Sequence, residues 1–373
     1  MTTLSAEDGV TLRATTQKVL AARSGLASVR TAMEGQAGYD PELWKELAEL
    51  GILGLIIREE HGGSGAGPVE LELVMEEAGA ALLCGPLLSS AVLAAGLLQA
   101  LGDADAQLRL LPAIADGSLI ATAAITGPAG DWTPEGVAVT AHAAGERWTL
   151  DGVADFVTHA QIADVVLVAA RGPDGIEIFE VDPGTAGVTV TALPTFDRTL
   201  RLARIQLQAV PARRLEATRP AWGAVEETLD LARVALAGEQ AGAGHKVLEF
   251  TVDYAKSRIQ FGRPIGSFQA IKHMAADLLI ESENAISAAR HAAAQLAAAA
   301  PQAKAAVNLA AFACADSFVR IAADAIQMHG GIAFTWDHPA HLYLRRARAD
   351  AQLFGASAAH RERYLQALEA AHG

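Results

Sequence analysis

The spacing of apolar residues along the first part of the chain indicates helices. In PELWKELAELGILGLI, Leu43, Leu47 and Leu50 recur three and four positions apart, and Gly51 follows where a helix C-terminus commonly has glycine. The stretch PVELELVMEEAGAALL repeats the helical pattern, and the Gly-rich segment REEHGGSGAG (58–67) before it indicates a loop. We therefore predict an N-terminal α-helical domain over residues 1–120.

From about residue 121 to 218 the pattern changes to short runs that favour β-strands. VAVTAHAAG, DVVLVAA, GIEIFEV and LRLARIQLQAV are rich in β-branched and alternating apolar residues. Turn residues separate them, as in Gly172-Pro173-Asp174-Gly175 and Asp182-Pro183-Gly184. Five or six short strands at this spacing predict a small antiparallel β-sheet or barrel domain over residues 121–218.

The helical period returns after Pro220 and continues to the end of the chain. GAVEETLDLARVALAGEQAG and HKVLEFTVDYAKSRIQF are two candidate helices that can be continuous with each other. A third follows in SFQAIKHMAADLLIESENAISAARHAAAQLAAAA, and a fourth ends at Gly330-Gly331. The sequence predicts a C-terminal four-helix bundle over residues 219–373 and, for the whole chain, an α+β multi-domain fold in the order α, β, α.

Composition and charge exclude several classes of function. The formal net charge is −14, which argues against general nucleic-acid binding, because that requires a basic surface. Cys84 and Cys314 stand in apolar surroundings without metal-ligand spacing and are expected to be buried, reduced thiols. His338 and His341 have no carboxylate at a suitable spacing, so no metal site is predicted.

Targeting signals are also not indicated by the pattern. The first residues, MTTLSAEDGVTLRATTQ, do not have the charged-then-apolar layout of a signal peptide. The Ala-rich segment near 291–313 is interrupted by Pro301 and Lys304, so no membrane span is predicted. We expect a cytoplasmic protein.

Two segments of the predicted C-terminal domain contain residue types that can bind an anion and a planar ring. SRIQFGRPIGSFQAIK contains Arg258, Phe261 and Gln269 close together in sequence. The guanidinium of Arg258 can bind phosphate through two hydrogen bonds. The Phe261 ring can pack on a planar ligand ring, and the Gln269 amide can hydrogen-bond the edge of that ring. AIQMHGG ends a helix at Gln327 and follows it with Gly330-Gly331, which allow close approach of a backbone to a ligand. The alternative is a solvated arginine and a simple helix cap.

Together the two segments resemble the acyl-CoA dehydrogenase family. That family has an R-x-x-F-G-x-x-[IL]-x-x-x-Q motif and then a Q-x-x-G-G motif. Here these are Arg258-Ile259-Gln260-Phe261-Gly262-Arg263-Pro264-Ile265 through Gln269, and Gln327-Met328-His329-Gly330-Gly331. The resemblance covers nearly all of the chain and implies FAD, whose pyrophosphate and adenosine end is held by these segments while its ring lies in a neighbouring subunit. It therefore implies a homo-oligomer or a heteromer with a related subunit.

The same resemblance assigns a ring-binding side to the predicted sheet. The family has a T-E-P-G-A-G-S-D-like loop and a later W-I-T strand. The loop here is Thr126-Gly127-Pro128-Ala129-Gly130-Asp131, and the strand is Phe156-Val157-Thr158. The resemblance thus implies that Thr126, Phe156 and Thr158 contact the flavin ring. The loop departs from the pattern because it lacks the Glu and the Ser and is one residue shorter.

The resemblance implies α,β-desaturation of an acyl-CoA thioester, which needs a carboxylate base for the α proton. The two positions at which family members place that Glu are occupied here by Phe354 and Ala232. Asp230 is the first candidate for a substitute base and Glu239 the second. The alternative for these acidic residues is a solvated helix face with local ion pairs.

Three functional hypotheses follow from these residues. The first is an FAD-dependent acyl-CoA dehydrogenase of fatty-acid or lipid catabolism that passes electrons to an acceptor flavoprotein. The second is a base-lacking partner subunit of a heteromeric acyl-CoA dehydrogenase that lends FAD contacts to a catalytic subunit. The third is a flavin-dependent monooxygenase or oxidase on the same fold. We favour the first.

Overall fold

The computed structural model describes residues 6–145 and 147–372, and its helices lie in both end regions of the chain. The helices are α1 (Ala6–Arg23), α2 (Leu26–Glu34), α3 (Pro41–Glu49), α4 (Pro68–Ala80), α5 (Ala95–Leu101), α6 (Ala104–Ala115), α7 (Ala221–Ser257), α8 (Gln269–Ala297), α9 (Ala303–His329), α10 (Ala340–Asp350) and α11 (Ser357–His372). A π-helical segment, Leu87–Ala94, leads into α5. The two candidate helices after Pro220 are continuous, because α7 is a single helix of 37 residues.

The middle of the chain forms the predicted sheet. Its strands are β1 (Ala121–Ala124), β2 (Val139–Ala144), β3 (Arg147–Thr158), β4 (Val165–Gly172), β5 (Gly175–Val181), β6 (Val188–Ala192) and β7 (Leu202–Arg214). They pair in the order β1-β4-β2-β3-β7-β5, with β6 on β7. Since β5 also pairs with β4, the pairings close into a small barrel. Its core is aliphatic and alanine-rich around Phe179, Leu150 and Val168.

The expectation of a wholly antiparallel sheet is corrected in one respect. β1 runs parallel to β4, with Ala121 opposite Val165 and Ala124 opposite Val168, and β2 meets β4 in parallel at Thr140 and Arg171. Antiparallel neighbours such as β4 and β5 are joined by a tight turn that the sequence shows, whereas parallel neighbours need a long connection that leaves no local signal. The sheet is therefore mixed.

Contacts between residues divide the chain into two compact units. The first, here called the sheet unit, contains Thr31–Gly67 and Cys84–Ala232; the second, the helical unit, contains residues 6–30, Pro68–Leu83 and the chain from Arg233 onward. The strands begin at Ala121 and end at Arg214, and α7 begins at Ala221. The division into domains 1–120, 121–218 and 219–373 stays a prediction.

In the helical unit, α4 and α7 approach until their backbones touch. A Cβ placed on Gly79 would lie 1.9 Å from the carbonyl oxygen of Glu239, and one on Gly242 would lie 1.9 Å from that of Glu76. Around this contact the core is made of small residues of α7, α8 and α9, among them Ala241, Ala289 and Ala310. Glycine is thus required here for close approach rather than for chain flexibility.

Cys84 and Cys314 are buried and form no disulfide, which confirms the prediction for both thiols. Among the helices of residues 6–145 and 147–372, none is both long and apolar enough to cross a membrane. The same residues contain no group of three or more His, Cys, Asp or Glu side chains arranged to hold a metal ion.

Candidate functional site

A β-bulge in the sheet unit positions the residues assigned to the flavin ring. The register of β3 against β7 shifts between Ala154 and Val157, and Phe156 takes a left-handed backbone with φ of 56°. Buried Asp155 anchors the bulge, because its carboxylate accepts hydrogen bonds of 2.7 Å from both Nε and Nη2 of Arg204. The Asp155 N–H donates to the carbonyl oxygen of Thr126 at 2.9 Å, so the bulge also fixes the preceding loop.

The loop is closed by its own hydrogen bonds. Thr126 is buried, and its hydroxyl donates to the carbonyl oxygen of Asp131 at 2.7 Å. Gly130, with φ of 73°, faces Phe156 so closely that an added Cβ would lie 3.4 Å from the ring. The shortened loop therefore packs onto Phe156, and the Thr126 hydroxyl is already engaged inside it.

Thr158 is the polar residue of this side that is left unsatisfied. It is 2% exposed, and its Oγ1 has no hydrogen-bond partner in the part of the chain that the structure describes. Its carbonyl oxygen accepts from the Thr122 hydroxyl at 2.6 Å, which fixes the backbone. A buried hydroxyl without a partner is costly, so a ligand edge that hydrogen-bonds Oγ1 would remove that cost. The donor and acceptor groups along a flavin ring fit this requirement.

The residues assigned to the dinucleotide tail lie at helix ends of the helical unit. α7 ends at Ser257, and a short hairpin of β8 (Ile259–Gln260) and β9 (Arg263–Pro264) follows. Arg258 is exposed, and Phe261 at the hairpin tip is 92% exposed with φ of 52°. Gln269, also exposed, is the first residue of α8. The Gln260 amide donates to the carbonyl oxygen of Ile259 at 2.8 Å.

The second tail segment is the end of α9. Gln327 is exposed in its last turn, and Gly330 follows with φ of 67°. A Cβ on Gly330 or Gly331 would meet no atom within 4 Å, so the surface in front of both is open. The structure brings this segment to the first one, because the Tyr254 ring, one turn before Arg258, stacks on His329 at 4.5 Å between centroids.

The two positions of the family Glu are filled by buried apolar side chains. Phe354 is 1% exposed with φ of 61°, and Ala232 in α7 is fully buried. Beside Phe354, a Cβ on Gly355 would lie 2.9 Å from Nε2 of His360. His360 is buried, its Nδ1 lies 3.0 Å from Oδ1 of Asn308, and burial lowers its pKa to about 4.

Both candidate substitute bases are buried, and they differ in their surroundings. Glu239 Oε1 accepts from Arg346 Nε at 2.8 Å, and the same nitrogen lies 3.5 Å from Oδ1 of Asp350. All three side chains of this ion-pair network are less than 8% exposed. Asp230 is 7% exposed and belongs to the part of α7 in the sheet unit. A solvated helix face is therefore not the environment of either residue.

Sequence reasoning missed a buried carboxyl cluster on α4. Glu76 accepts from Arg290 Nε and Nη2 at 2.9 and 3.0 Å and from Arg13 Nη2 at 2.9 Å. Burial, together with the Glu76 charge and a hydrogen bond to it, raises the pKa of Glu72 to about 9. The signal that could have found this cluster is the spacing of Gly238 and Gly242, which indicates a helix face too closely packed to be solvated.

Comparison with known proteins agrees with this architecture. The family models for the acyl-CoA dehydrogenase N-terminal and C-terminal domains match residues 7–118 and 222–369. The chain belongs to the acyl-CoA dehydrogenase family, and this membership indicates FAD as its cofactor.

Particular relatives cover almost the whole chain. The chain is 37% identical to "Acyl-CoA dehydrogenase IpdE2" of Mycobacterium tuberculosis over 350 residues, 93% of each chain. A solved variant of the "Tcur3481-Tcur3483 steroid ACAD" matches with TM-score 0.88 and 32% identity, covering 98% of this chain and 99% of that one. The ChsE4-ChsE5 complex from Mycobacterium tuberculosis matches with TM-score 0.90 and 29% identity, covering 99% of both chains. These relatives support an oxidoreductase of lipid catabolism.

Proposed function

We propose that the chain acts in the FAD-dependent α,β-desaturation of an acyl-CoA thioester and passes the electrons to an acceptor flavoprotein. The observation that supports this most directly is the buried, unsatisfied hydroxyl of Thr158, on the strand where the family resemblance puts the flavin ring. Bound FAD supplies the acceptor for the β hydride of the substrate. The chain itself has to hold the cofactor and take the α proton.

The cofactor would be held from two sides. Thr158 Oγ1, Thr126 and the Phe156 ring would contact the flavin ring. The tail-binding residues Arg258, Gln260, Phe261, Gln269, Gln327, Gly330 and Gly331 would hold the diphosphate and adenosine end of a flavin shared with a second chain. Arg258 suits this role because a guanidinium forms strong, bidentate hydrogen bonds to phosphate oxygens.

Proton abstraction is assigned to Asp230. Glu239 already accepts a hydrogen bond from Arg346 in a buried ion pair, and protonating its carboxylate would weaken that pair. Asp230 is buried as well, on α7 two residues before Ala232. Its nearness in sequence to this family base position supports it over Glu239, although two residues along a helix turn its side chain by about 200°.

The test is reduction of the bound flavin by substrate without oxygen. The FAD-loaded protein should lose its visible flavin absorbance on addition of an acyl-CoA thioester and yield a product lighter by two hydrogens. A substrate panel should run from short linear to steroid-derived thioesters, since one similar solved protein is named a steroid ACAD. Asp230→Asn should slow flavin reduction by about a hundredfold to ten-thousandfold, whereas Asp277→Asn, on the exposed face of α8, should not. Reduction at the wild-type rate in Asp230→Asn would remove Asp230 from this role.

A second candidate function is supported by Phe354 and Ala232. Because apolar side chains occupy both base positions, the chain would serve as the non-catalytic subunit of a heteromer, and two relatives are named as two-protein assemblies. In that case the isolated protein would not reduce flavin, and activity would appear on mixing with a family member that has the Glu. Oxygen-dependent turnover of externally reduced flavin would instead indicate a monooxygenase or oxidase, which no structural observation favours.

A further inference from the structure

A large, partly open cavity is lined only by residues of the helical unit within the part of the chain that the structure describes. Its volume is 1130 Å³, and residues of α1, α2, α4, α7, α8, α9 and α10 line it. Within the described chain, its lining includes none of the residues assigned above to the flavin or to proton abstraction. Its size is that of a site for a drug-sized small molecule.

Part of the cavity wall is apolar and aromatic. Phe250 and Tyr343 form one wall with ring centroids 5.7 Å apart, and Tyr254 stacks on His329 next to them. Leu20 on α1 and Ile286 on α8 are among the aliphatic residues of the lining. Such walls favour a ligand with an apolar, partly planar body.

The charges around the cavity compensate one another. The cationic lining residues are Arg13, Lys18, Lys246 and Arg290, and the anionic ones are Glu76, Glu77, Glu249 and Glu283. Several of them form ion pairs: Arg13 contacts Glu77 at 2.7 Å, Arg290 contacts Glu76 at 2.9 Å, and Lys246 contacts Glu249 at 2.6 Å. With equal numbers of both signs, the site favours a neutral molecule over an ion.

His329 provides a buried hydrogen-bond acceptor at this cavity. Its Nδ1 lies 2.8 Å from the carbonyl oxygen of Ala325, which can only accept, so Nδ1 bears the proton and Nε2 has the lone pair. Burial lowers the pKa of His329, which keeps the ring neutral at pH 7. The side chain is 5% exposed, and its Nε2 has no hydrogen-bond partner among residues 6–145 and 147–372.

His338 places a donor beside that acceptor. The two imidazole rings are 4.4 Å apart between centroids, and both line the cavity. The Ala340 N–H donates to Nδ1 of His338 at 3.2 Å, so in the neutral ring the proton is on Nε2. Burial, with His329 and His341 nearby, lowers the pKa of His338 to about 4. One group that both donates and accepts would satisfy the pair, and a hydroxyl is such a group.

We propose that this cavity binds a neutral, mainly apolar alcohol or phenol whose O–H donates to Nε2 of His329 and accepts from Nε2 of His338. The site is separate from the proposed flavin chemistry, and ligand binding there does not depend on the desaturation.

The probe pair for a test is β-naphthol and its methyl ether, which share a ring system but differ in the O–H. Binding to the FAD-loaded protein is followed by the fluorescence of the naphthyl group. We expect saturable binding with β-naphthol about fivefold tighter than the ether, the gain of one net hydrogen bond. His329→Phe, which keeps the ring stacked on Tyr254, should bind both probes equally. His245→Phe, at an exposed histidine of the same lining, should retain the preference.

Ala14→Trp gives a second variant, because Ala14 is exposed on α1 and lines the cavity, so a larger side chain fills the space without disturbing a core. It should weaken binding of both probes by about tenfold or more, while the flavin content stays that of the wild type. The proposal is overturned if the wild type does not distinguish the probes, if His329→Phe still prefers β-naphthol, or if Ala14→Trp binds both as well as the wild type.

Discussion

The two sides of the proposed flavin site are built in opposite ways. On the ring side, Thr126 and Thr158 are at most 2% exposed and sit beside a bulge anchored by buried Asp155. On the tail side, Phe261 is 92% exposed at the tip of a hairpin, and the surface in front of Gly330 is open. The difference teaches that the ring-side residues are enclosed by their own chain, whereas the tail-side residues are open to solvent, as the proposed sharing of a flavin between two chains would require.

Three aromatic side chains in the tail-side segments are largely exposed. Besides Phe261, Phe334 is 76% and Trp336 54% exposed, both shortly after Gly331. Burying one such side chain contributes about 2–3 kcal/mol. Exposed aromatic side chains are common at protein contact surfaces, and sharing a flavin between two chains would require such a surface.

The largest effect is expected from placing a charge on that surface. Phe261→Asp would bury an uncompensated carboxylate at the contact, at a cost of several kcal/mol, and weaken association of the chain by about a thousandfold. Sedimentation velocity over a range of concentrations measures this. Phe196→Asp is the matched control, because Phe196 is also exposed, at 61%, but lies in the sheet unit. Equal sedimentation of both variants would contradict a contact role for Phe261.

The next largest effect is expected on the free energy of unfolding, through ionisation of the buried Glu72 carboxyl in the helical unit. In the folded state the pKa of Glu72 is raised to about 9. At pH values between the ordinary carboxyl pKa and about 9, the folded state therefore binds one more proton than the unfolded state. Its contribution to stability is therefore present at low pH and is lost as pH rises through this window, by up to about 1.4 kcal/mol per pH unit.

Between about pH 7 and pH 9, the unfolding equilibrium constant should rise about fiftyfold, because the folded-state carboxyl is half ionised at pH 9. Glu72→Gln, which cannot titrate, should show a flatter pH dependence in denaturant unfolding. Hydrogen exchange should assign the wild-type loss to α4 and not to β3. A slope unchanged by the substitution would mean that Glu72 is ionised in the folded protein.

Substitution of Arg258 should lower the affinity for FAD, with an effect of intermediate size. Arg258→Gln removes charge-assisted hydrogen bonds to the diphosphate, and we expect FAD affinity to fall about thirtyfold. The apparent Kd is read from the recovery of flavin fluorescence on dissociation. Lys256→Gln removes an exposed charge two residues away, where Lys256 Nζ lies 3.4 Å from Oδ1 of Asp253, and should change the apparent Kd little. Equal losses in both variants would indicate a general effect of charge.

The smallest effect is expected on the ring side, where removing a buried hydroxyl should lower the affinity for FAD without lowering the free energy of unfolding. Thr158→Val removes the buried hydroxyl but keeps the shape, so FAD should bind about fivefold more weakly. The free energy of unfolding of the FAD-free protein should stay equal or rise, because an unsatisfied polar group is lost. Thr191→Val, at an exposed position of β6, is the control. If both quantities fell, Thr158 would have a structural role instead.

The sequence predicted the parts of the fold that local spacing determines. The period of the apolar residues located the long helices, and Gly172 and Gly175 marked the turn between β4 and β5. The parallel pairing of β1 with β4 could not be found this way, because it joins strands about 40 residues apart without a turn signal.

The candidate site shows the same limit. Motif residues such as Arg258 and Gln327 were identified from spacing, and the structure brings their segments together through Tyr254 and His329. The left-handed backbone of Phe156 could not be foreseen, because a bulge depends on the register of two strands. The pairing of Glu239 with Arg346 could not be foreseen either, because the two residues are more than 100 positions apart in sequence.

The backbone contact of α4 with α7 has a consequence for protein engineering. The two helices come from distant parts of the chain, yet Gly79, Gly238 and Gly242 leave no side chain between them that could adapt to a new neighbour. A chimera that takes its first 120 residues from another family member would combine the α4 of one protein with the α7 of another. The two helix surfaces would then not be complementary at this close contact. Such hybrids should fold only when α4 and α7 are inherited as a pair.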